Sequence, residues 1–287
     1  KIAFGTGGQW TDLHAASLPL PVVRANLKGR DVLALIDSGA QYSVLDRALA
    51  EELMASGDVS RAFDMPMLAY GVGGQAQVGR GTTLDVGLAD VTISNLRAAI
   101  LDLGPLASQD GLGVGLIIGR DVLFETVLEL DMGNRRMRLA DPDVWHASAD
   151  LRPTIVHRDG DALGVELTVE GAVVRAILDT GASNLLSLSE STAQEAGLLD
   201  GRKEEAGQSL VLGGVSRARW LTVQTLTLGD TMRRNVRVAV YPDSHLPNYP
   251  DALLGIGAFR DRKLALDMAK GALFVEGQLD LTIGGDA

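Results

Sequence analysis

The 287-residue chain has no cysteine. That excludes disulfide scaffolds, zinc–thiolate and iron–sulfur sites, and cysteine nucleophiles. Aromatic residues make up only 4% of it, too few for a base-stacking platform. Cations are outnumbered: 26 Lys and Arg against 37 Asp and Glu leave a net charge of −11. A protein built to grip nucleic acid carries a basic face, so no nucleic-acid partner is expected. No apolar run reaches the ~18 residues of a membrane-spanning helix, so no membrane span is expected. The four histidines, His14, His146, His157 and His245, lie far apart without an i, i+4 pair, so neither a zinc site nor any other cofactor is expected. No Gly-x-Ser-x-Gly elbow marks a serine hydrolase. Gly71-x-Gly73-x-x-Ala76 has no strand–loop–helix context, so it is not read as a dinucleotide loop. What remains is a chain with 46% hydrophobic residues, 22% charged residues and 34 glycines. That mix suits a β-rich globular protein with many tight turns. The first residue is Lys1 rather than Met; with the absent cysteine, this points to a periplasmic or secreted location. Arginine outnumbers lysine, and Ala and Gly are frequent, as in proteins from GC-rich bacterial genomes.

The chain repeats itself once. Val32-Leu33-Ala34-Leu35-Ile36-Asp37-Ser38-Gly39-Ala40 matches Val174-Arg175-Ala176-Ile177-Leu178-Asp179-Thr180-Gly181-Ala182, with the aspartates 142 positions apart. Gly29 matches Gly171 at the same offset, each a turn between apolar runs. Tyr70 to Gly74 falls opposite Leu210 to Gly214, Leu116 to Gly119 opposite Ala252 to Gly255, and Leu128 to Met132 opposite Leu264 to Met268. Five blocks in one order, at so long a period, indicate a duplicated domain rather than a solenoid. The polar, proline-bearing stretch from Asp141 to Pro153 sets the boundary, giving lobes 1–145 and 146–287. Both halves read as short strands with glycine turns. Helical pattern is scarce; the clearest helix is Asp46 to Ala55, with Asp46 as N-cap, and its counterpart is Ser189 to Ala196, closed by Gly197.

Each half presents an Asp at the end of a buried strand, followed by a hydroxyl residue, Gly and Ala. An ionised carboxylate leaving Leu35-Ile36 or Ile177-Leu178 is costly without a partner. The hydroxyls of Ser38 and Thr180 can hydrogen-bond across to the sister loop. Gly39 and Gly181, lacking Cβ, let two backbones approach closely. Two such loops meeting at a pseudo-twofold axis would face one carboxyl with another, and the pair would share one proton. Such a pair can hold a water, one member taking its proton while the other donates to the carbonyl under attack.

These residues resemble the Asp-Thr/Ser-Gly loops of aspartic proteases. Ile117-Ile118-Gly119-Arg120-Asp121 resembles the apolar-apolar-Gly-Arg block of retropepsins, and Leu253-Leu254-Gly255 is its degenerate second copy. The resemblance runs from about Leu18 to Val275 and describes two retropepsin units fused into a pepsin-like single chain. It implies an all-β fold with a few short helices: two pseudo-twofold-related lobes of roughly six to seven strands around a central cleft. It implies Asp37 and Asp179 as catalytic, with Ser38, Gly39, Thr180 and Gly181 as supporting loop residues. Tyr70, Gly71, Gly73 and Gly74 fit the flap hairpin that the family lays over its cleft; Gly213 and Gly214 fit a second hairpin, as flap or substrate-side wall. Tyr70 itself reads equally as a pocket wall or as packed on a sheet.

The chain departs from the pattern at Gln41 and Ser183, where the family's Asp that pairs with the block arginine would stand, so Arg120 needs another partner. The second half carries Ile256 in place of that arginine. Arg120, Asp121, Asp131 and Asp267 read as structural, and Trp145 and Trp220 as packing anchors. The expected activity is peptide-bond hydrolysis by a water-activating aspartate pair, on an extended peptide or protein substrate, in a monomer. Two alternatives stand beside it: a non-cleaving peptide-binding module of the same fold, and an enzyme that pairs halves between chains as a dimer.

Overall fold

The computed structural model describes residues 1–277 apart from 6–7, 16–17, 61, 70–76, 109, 212–213, 230 and 247. Its first half closes six strands into a ring. Val22–Leu27 and Arg30–Ile36 form a hairpin, Arg30–Ile36 runs parallel to Val114–Ile118, and Val114–Ile118 pairs antiparallel with Val44–Asp46. Val44–Asp46 runs parallel to Val91–Leu101, which pairs with Gln77–Leu88, which returns to Val22–Leu27. The second half repeats this ring with Ala162–Val169, Ala172–Asp179, Ala252–Gly255, Leu186–Ser189, Thr231–Tyr241 and Gly214–Leu228. Closure removes the unpaired edges that an open sheet would offer to other chains. The all-β, two-lobed expectation agrees with this architecture.

Local chemistry explains the matched turns. Lys28-Gly29 and Glu170-Gly171 all have positive φ, between 48° and 94°, the backbone of a two-residue turn whose twist suits a β-hairpin. Helix Arg47–Ser56 is capped by the Asp46 carboxylate, which accepts from the backbone N–H groups of Ala48 and Leu49, and it ends at Gly57 with φ 80°. Its shorter counterpart Glu190–Glu195 is capped by the Ser189 hydroxyl. Among the described residues, no helix is long and apolar enough to cross a membrane.

A third, six-stranded sheet joins the halves, and the sequence pattern did not announce it. Thr11–Asp12, Val127–Asp131 and Arg136–Ala140 lie before residue 145; Leu151–Thr154, Lys263–Asp267 and Ala272–Glu276 lie after it. At its centre the fifth repeat pairs with its own copy, Leu128 opposite Leu266 and Leu130 opposite Leu264, as a twofold axis requires. Asp131 and Asp267 close the turns that follow, accepting from the backbone N–H groups of Asn134 and Lys270 respectively. The buried Glu129 is neutralised by Arg138 on the neighbouring strand. One apolar core runs through both lobes, so the cleft between them has a stiff floor.

Leu264 is 0% exposed at the lobe junction, whereas Val173 is 65% exposed. Leu264→Ala is expected to lower unfolding free energy in urea by about 2–5 kcal/mol, the range for emptying a well-packed core position. Val173→Ala is expected to stay within about 0.5 kcal/mol of wild type. Equal losses for the two variants would contradict the placement of the junction.

Candidate active site

Two barrel strands deliver the carboxyls. Arg30–Ile36 ends just before Asp37, and Ala172–Asp179 ends on Asp179. Immediately beyond them the loops lock together. The Ser38 hydroxyl donates to Leu178 O at 2.8 Å and accepts the Thr180 N–H at 3.0 Å. The Thr180 hydroxyl donates to Ile36 O at 2.8 Å and accepts the Ser38 N–H at 2.9 Å. Each hydroxyl thus uses its donor and an acceptor site on the opposite loop, and both residues are essentially inaccessible, at 1% and 0% exposure. Leaving any member of this exchange unpaired would carry the full desolvation penalty of a buried polar group.

The glycines matter here for space, not for backbone angle. A Cβ on Gly39 would stand 2.7 Å from Cγ of Asp179, and one on Gly181 would stand 2.5 Å from Cγ of Asp37. No side chain fits either position. Asp37 Oδ1 accepts from the backbone N–H groups of Gly39 at 2.8 Å and Ala40 at 3.2 Å; Asp179 Oδ1 accepts from Gly181 N–H at 2.8 Å. Each carboxyl thus lies against the glycine of the opposite loop, and the two carboxyls are electrostatically coupled. Burial raises Asp37 above the ordinary carboxylate range, against the opposing pull of its hydrogen bonds and of Arg120. Burial raises Asp179 further, and the charge of Asp37 adds to the effect. Like charges so close cannot both ionise readily, which favours a state in which only one of the two is charged.

The loops are braced from behind. Arg120 N–H donates to Ala40 O at 2.9 Å, and Ile256 N–H to Ala182 O at 2.8 Å, so the two halves use the same main-chain brace. Only the first adds a guanidinium. Arg120 Nη1 donates to the carbonyls of Ser38 and Gly39, both at 2.9 Å, and its Nη2 meets Asp161 at 3.0 Å. Asp161 comes from the opposite half, in the turn before strand Ala162–Val169, and the sequence pattern did not mark it. Nothing in an Asp-Gly-Asp turn announces a partner 41 residues away. Asp121 accepts from the Ser43 hydroxyl at 2.8 Å, and Ser43 in turn accepts from Gly119 N–H. Burial raises Asp121, the Ser43 bond opposing it.

A cleft of about 1350 Å³ lies over the pair. Its walls repeat across the axis: Leu35 and Ile117 on one side, Ile177 and Leu253 on the other. Trp220 was expected to pack internally; it instead lines the cleft, over Gly207, with Arg237 stacked on its ring at 4.9 Å. Trp145 does pack internally, edge-on to Phe274. Tyr241 and Tyr249 add an aromatic wall that no sequence motif singles out. Strands Phe63–Ala69 and Gln77–Leu88 form a hairpin paired out to Ala69 and Gln77; Tyr70, Gly71, Gly73 and Gly74 lie outside the described residues. In the second hairpin Gly214 pairs with Val211, and Gly213 lies outside the described residues. Among the described residues, no cluster of three or more His, Asp or Glu is placed to hold a metal ion.

A profile of the aspartyl protease family matches residues 23–122 and 165–258. Among solved structures, the chain is similar to Basic 7S globulin from soybean, with a TM-score of 0.51 and 10% identity over 96% of this chain and 95% of that one. That likeness extends to the fold alone. A retropepsin-like aspartic protease from Rickettsia conorii is also similar, at 22% identity over 47% of this chain and 97% of that one, with a TM-score of 0.35. No curated protein sequence matches the chain.

The raised carboxyl of Asp179 has a consequence for stability. Its proton is held more tightly folded than unfolded, so its contribution is fully present below the ordinary carboxylate value of 3.8 and is lost as pH rises through the folded value. Asp179→Asn, which cannot ionise, is therefore expected to have a higher urea midpoint than wild type at pH 7, the gain vanishing at pH 3. A midpoint difference independent of pH would contradict this.

Proposed function

Because the chain belongs to the aspartyl protease family, we propose that it is an aspartic endopeptidase in which Asp37 and Asp179 form the catalytic pair. One observation carries this reading: two half-buried carboxyls, each set against the glycine of the opposite loop, line a large cleft and are held by hydroxyls exchanged between the loops. A carboxyl pair with one proton can orient a water, take its proton as it attacks a peptide carbonyl, and protonate the carbonyl oxygen. The second half-reaction reverses the roles, with a proton passing to the leaving nitrogen. No covalent acyl intermediate is needed.

The substrate is an extended peptide lying along the cleft, bound by strand-like main-chain hydrogen bonds to the hairpins that overhang it. Its side chains meet apolar walls at Leu35, Ile117, Ile177 and Leu253, and aromatic ones at Trp220 and Tyr241. Lobes 1–145 and 146–287 act as one unit. Both carboxyls come from a single chain, which supports a working monomer.

Cleavage of a peptide library, read by mass spectrometry, tests the proposal. Asp37→Asn and Asp179→Asn are each expected to lower kcat/KM by at least about 10²–10⁴-fold, the range assigned to acid–base groups, with the fold retained by circular dichroism. Full activity in either variant would overturn the shared pair; peptide binding without cleavage by the wild type would favour the non-cleaving module. The pH–rate profile is expected to be bell-shaped, falling on the acid side as the ionised member protonates and on the alkaline side as the pair loses its proton. Since burial raises both groups, both limbs should lie above the range of free carboxylates. A rate independent of pH across that range would contradict the mechanism.

A further inference from the structure

The two loops match in sequence but not in surroundings. Asp161, which holds Arg120 across the lobe boundary, corresponds 142 positions earlier to Pro19, and Arg120 itself corresponds to the apolar Ile256. Both members of the ion pair therefore exist on one side of the axis only. Arg120 is 7% exposed and is the one cation among the described residues lining the cleft.

Its placement acts on Asp37 through two peptide groups. Arg120 Nη1 donates to Ser38 O, and the N–H at the other end of that peptide group, on Gly39, donates to Asp37 Oδ1. Nη1 also donates to Gly39 O, and the N–H of that next group, on Ala40, donates to the same Oδ1. Both peptide dipoles are polarised with their positive ends toward Asp37, and chained hydrogen bonds of this kind strengthen one another. The second loop sends Gly181 N–H to Asp179, but the side chain at the matched position behind it is Ile256, which has no donor. Among the described residues, the other titratable groups lining the cleft are Tyr42 of the first lobe and Asp159, Asp161, Tyr241, Tyr249 and Asp251 of the second. None of these is a Lys, Arg or His, so none of them offers Asp179 a compensating cation.

We propose that Arg120, anchored by Asp161, decides which aspartate is the base: Asp37 is the ionised member and Asp179 carries the proton. This rests on the peptidase reading. In the hydration step the water oxygen bonds to the carbonyl carbon and its proton passes to Asp37. The carbonyl π pair moves to oxygen, which takes the proton of Asp179, giving a neutral gem-diol. Arg120 and Asp161 are positioning residues, since neither touches the reacting atoms. Burial raises both carboxyls, and the pull of Arg120 on Asp37 has the same sense as this assignment.

The test is a site-resolved carbon-13 titration of the aspartate carboxyls, assigned by the loss of each signal in Asp37→Asn and Asp179→Asn. In wild type the lower step should belong to Asp37 and the upper to Asp179; the reverse order overturns the proposal. Arg120→Met should raise the Asp37 step by on the order of 1 pH unit, the scale of a lost neighbouring cation, while Arg120→Lys keeps the order. Asp161→Asn keeps an acceptor for Arg120 but removes the anion that partly neutralises it, so the Asp37 step should move down. A merely structural role predicts no downward move, so a step that is unmoved or raised in Asp161→Asn overturns the proposal even if Arg120→Met fails to fold. Cleavage measured on the same samples separates the two readings: ordered titration without cleavage overturns the peptidase, and cleavage with inverted order overturns the assignment.

Discussion

Everything about this site depends on the exchange of hydrogen bonds between Ser38 and Thr180. Two carboxyls placed face to face repel when both are ionised, and burial makes that repulsion stronger. Something must hold them together without neutralising them. The hydroxyl exchange does so with neutral groups: four hydrogen bonds, all buried, related by the pseudo-twofold axis. The cost falls on the carboxyls, whose pKa values are both raised, above all by burial. In the proposed peptidase that unfavourable feature is what would give the pair its chemistry, a common relation between perturbed groups and function.

The duplication supplies the geometry. A twofold axis turns one strand-end aspartate into a facing pair, and it does the same in the central sheet, where the fifth repeat meets its own copy. Fusion into one chain then frees the halves to diverge. Arg120 and Asp161 lie on one side, Ile256 and Pro19 on the other. A symmetric pair of identical chains could not carry such a difference, because each residue would appear on both sides of the axis.

Much of this is legible in the amino-acid order. The repeats around Asp37 and Asp179 imply the axis, Gly29 and Gly171 mark the matched turns, and Asp46 opens one helix while Gly197 closes the other, as local chemistry demands. What stays hidden depends on contacts distant in sequence. Asp161 is an ordinary turn residue until folding brings Arg120 beside it. Trp220 alternates along its strand like any sheet residue, and only the folded lobes show that it lines the cleft. The six-stranded junction draws short strands from both sides of the linker, some too brief for any periodicity to mark.

The central claim is that the two aspartates form one proton-sharing unit. Neutron diffraction from crystals exchanged into deuterium oxide at mildly acidic pH tests it most directly. A single deuteron between carboxyls of Asp37 and Asp179 in hydrogen-bonding contact is the predicted result. Two carboxyls in separate pockets, each solvated on its own, would contradict it.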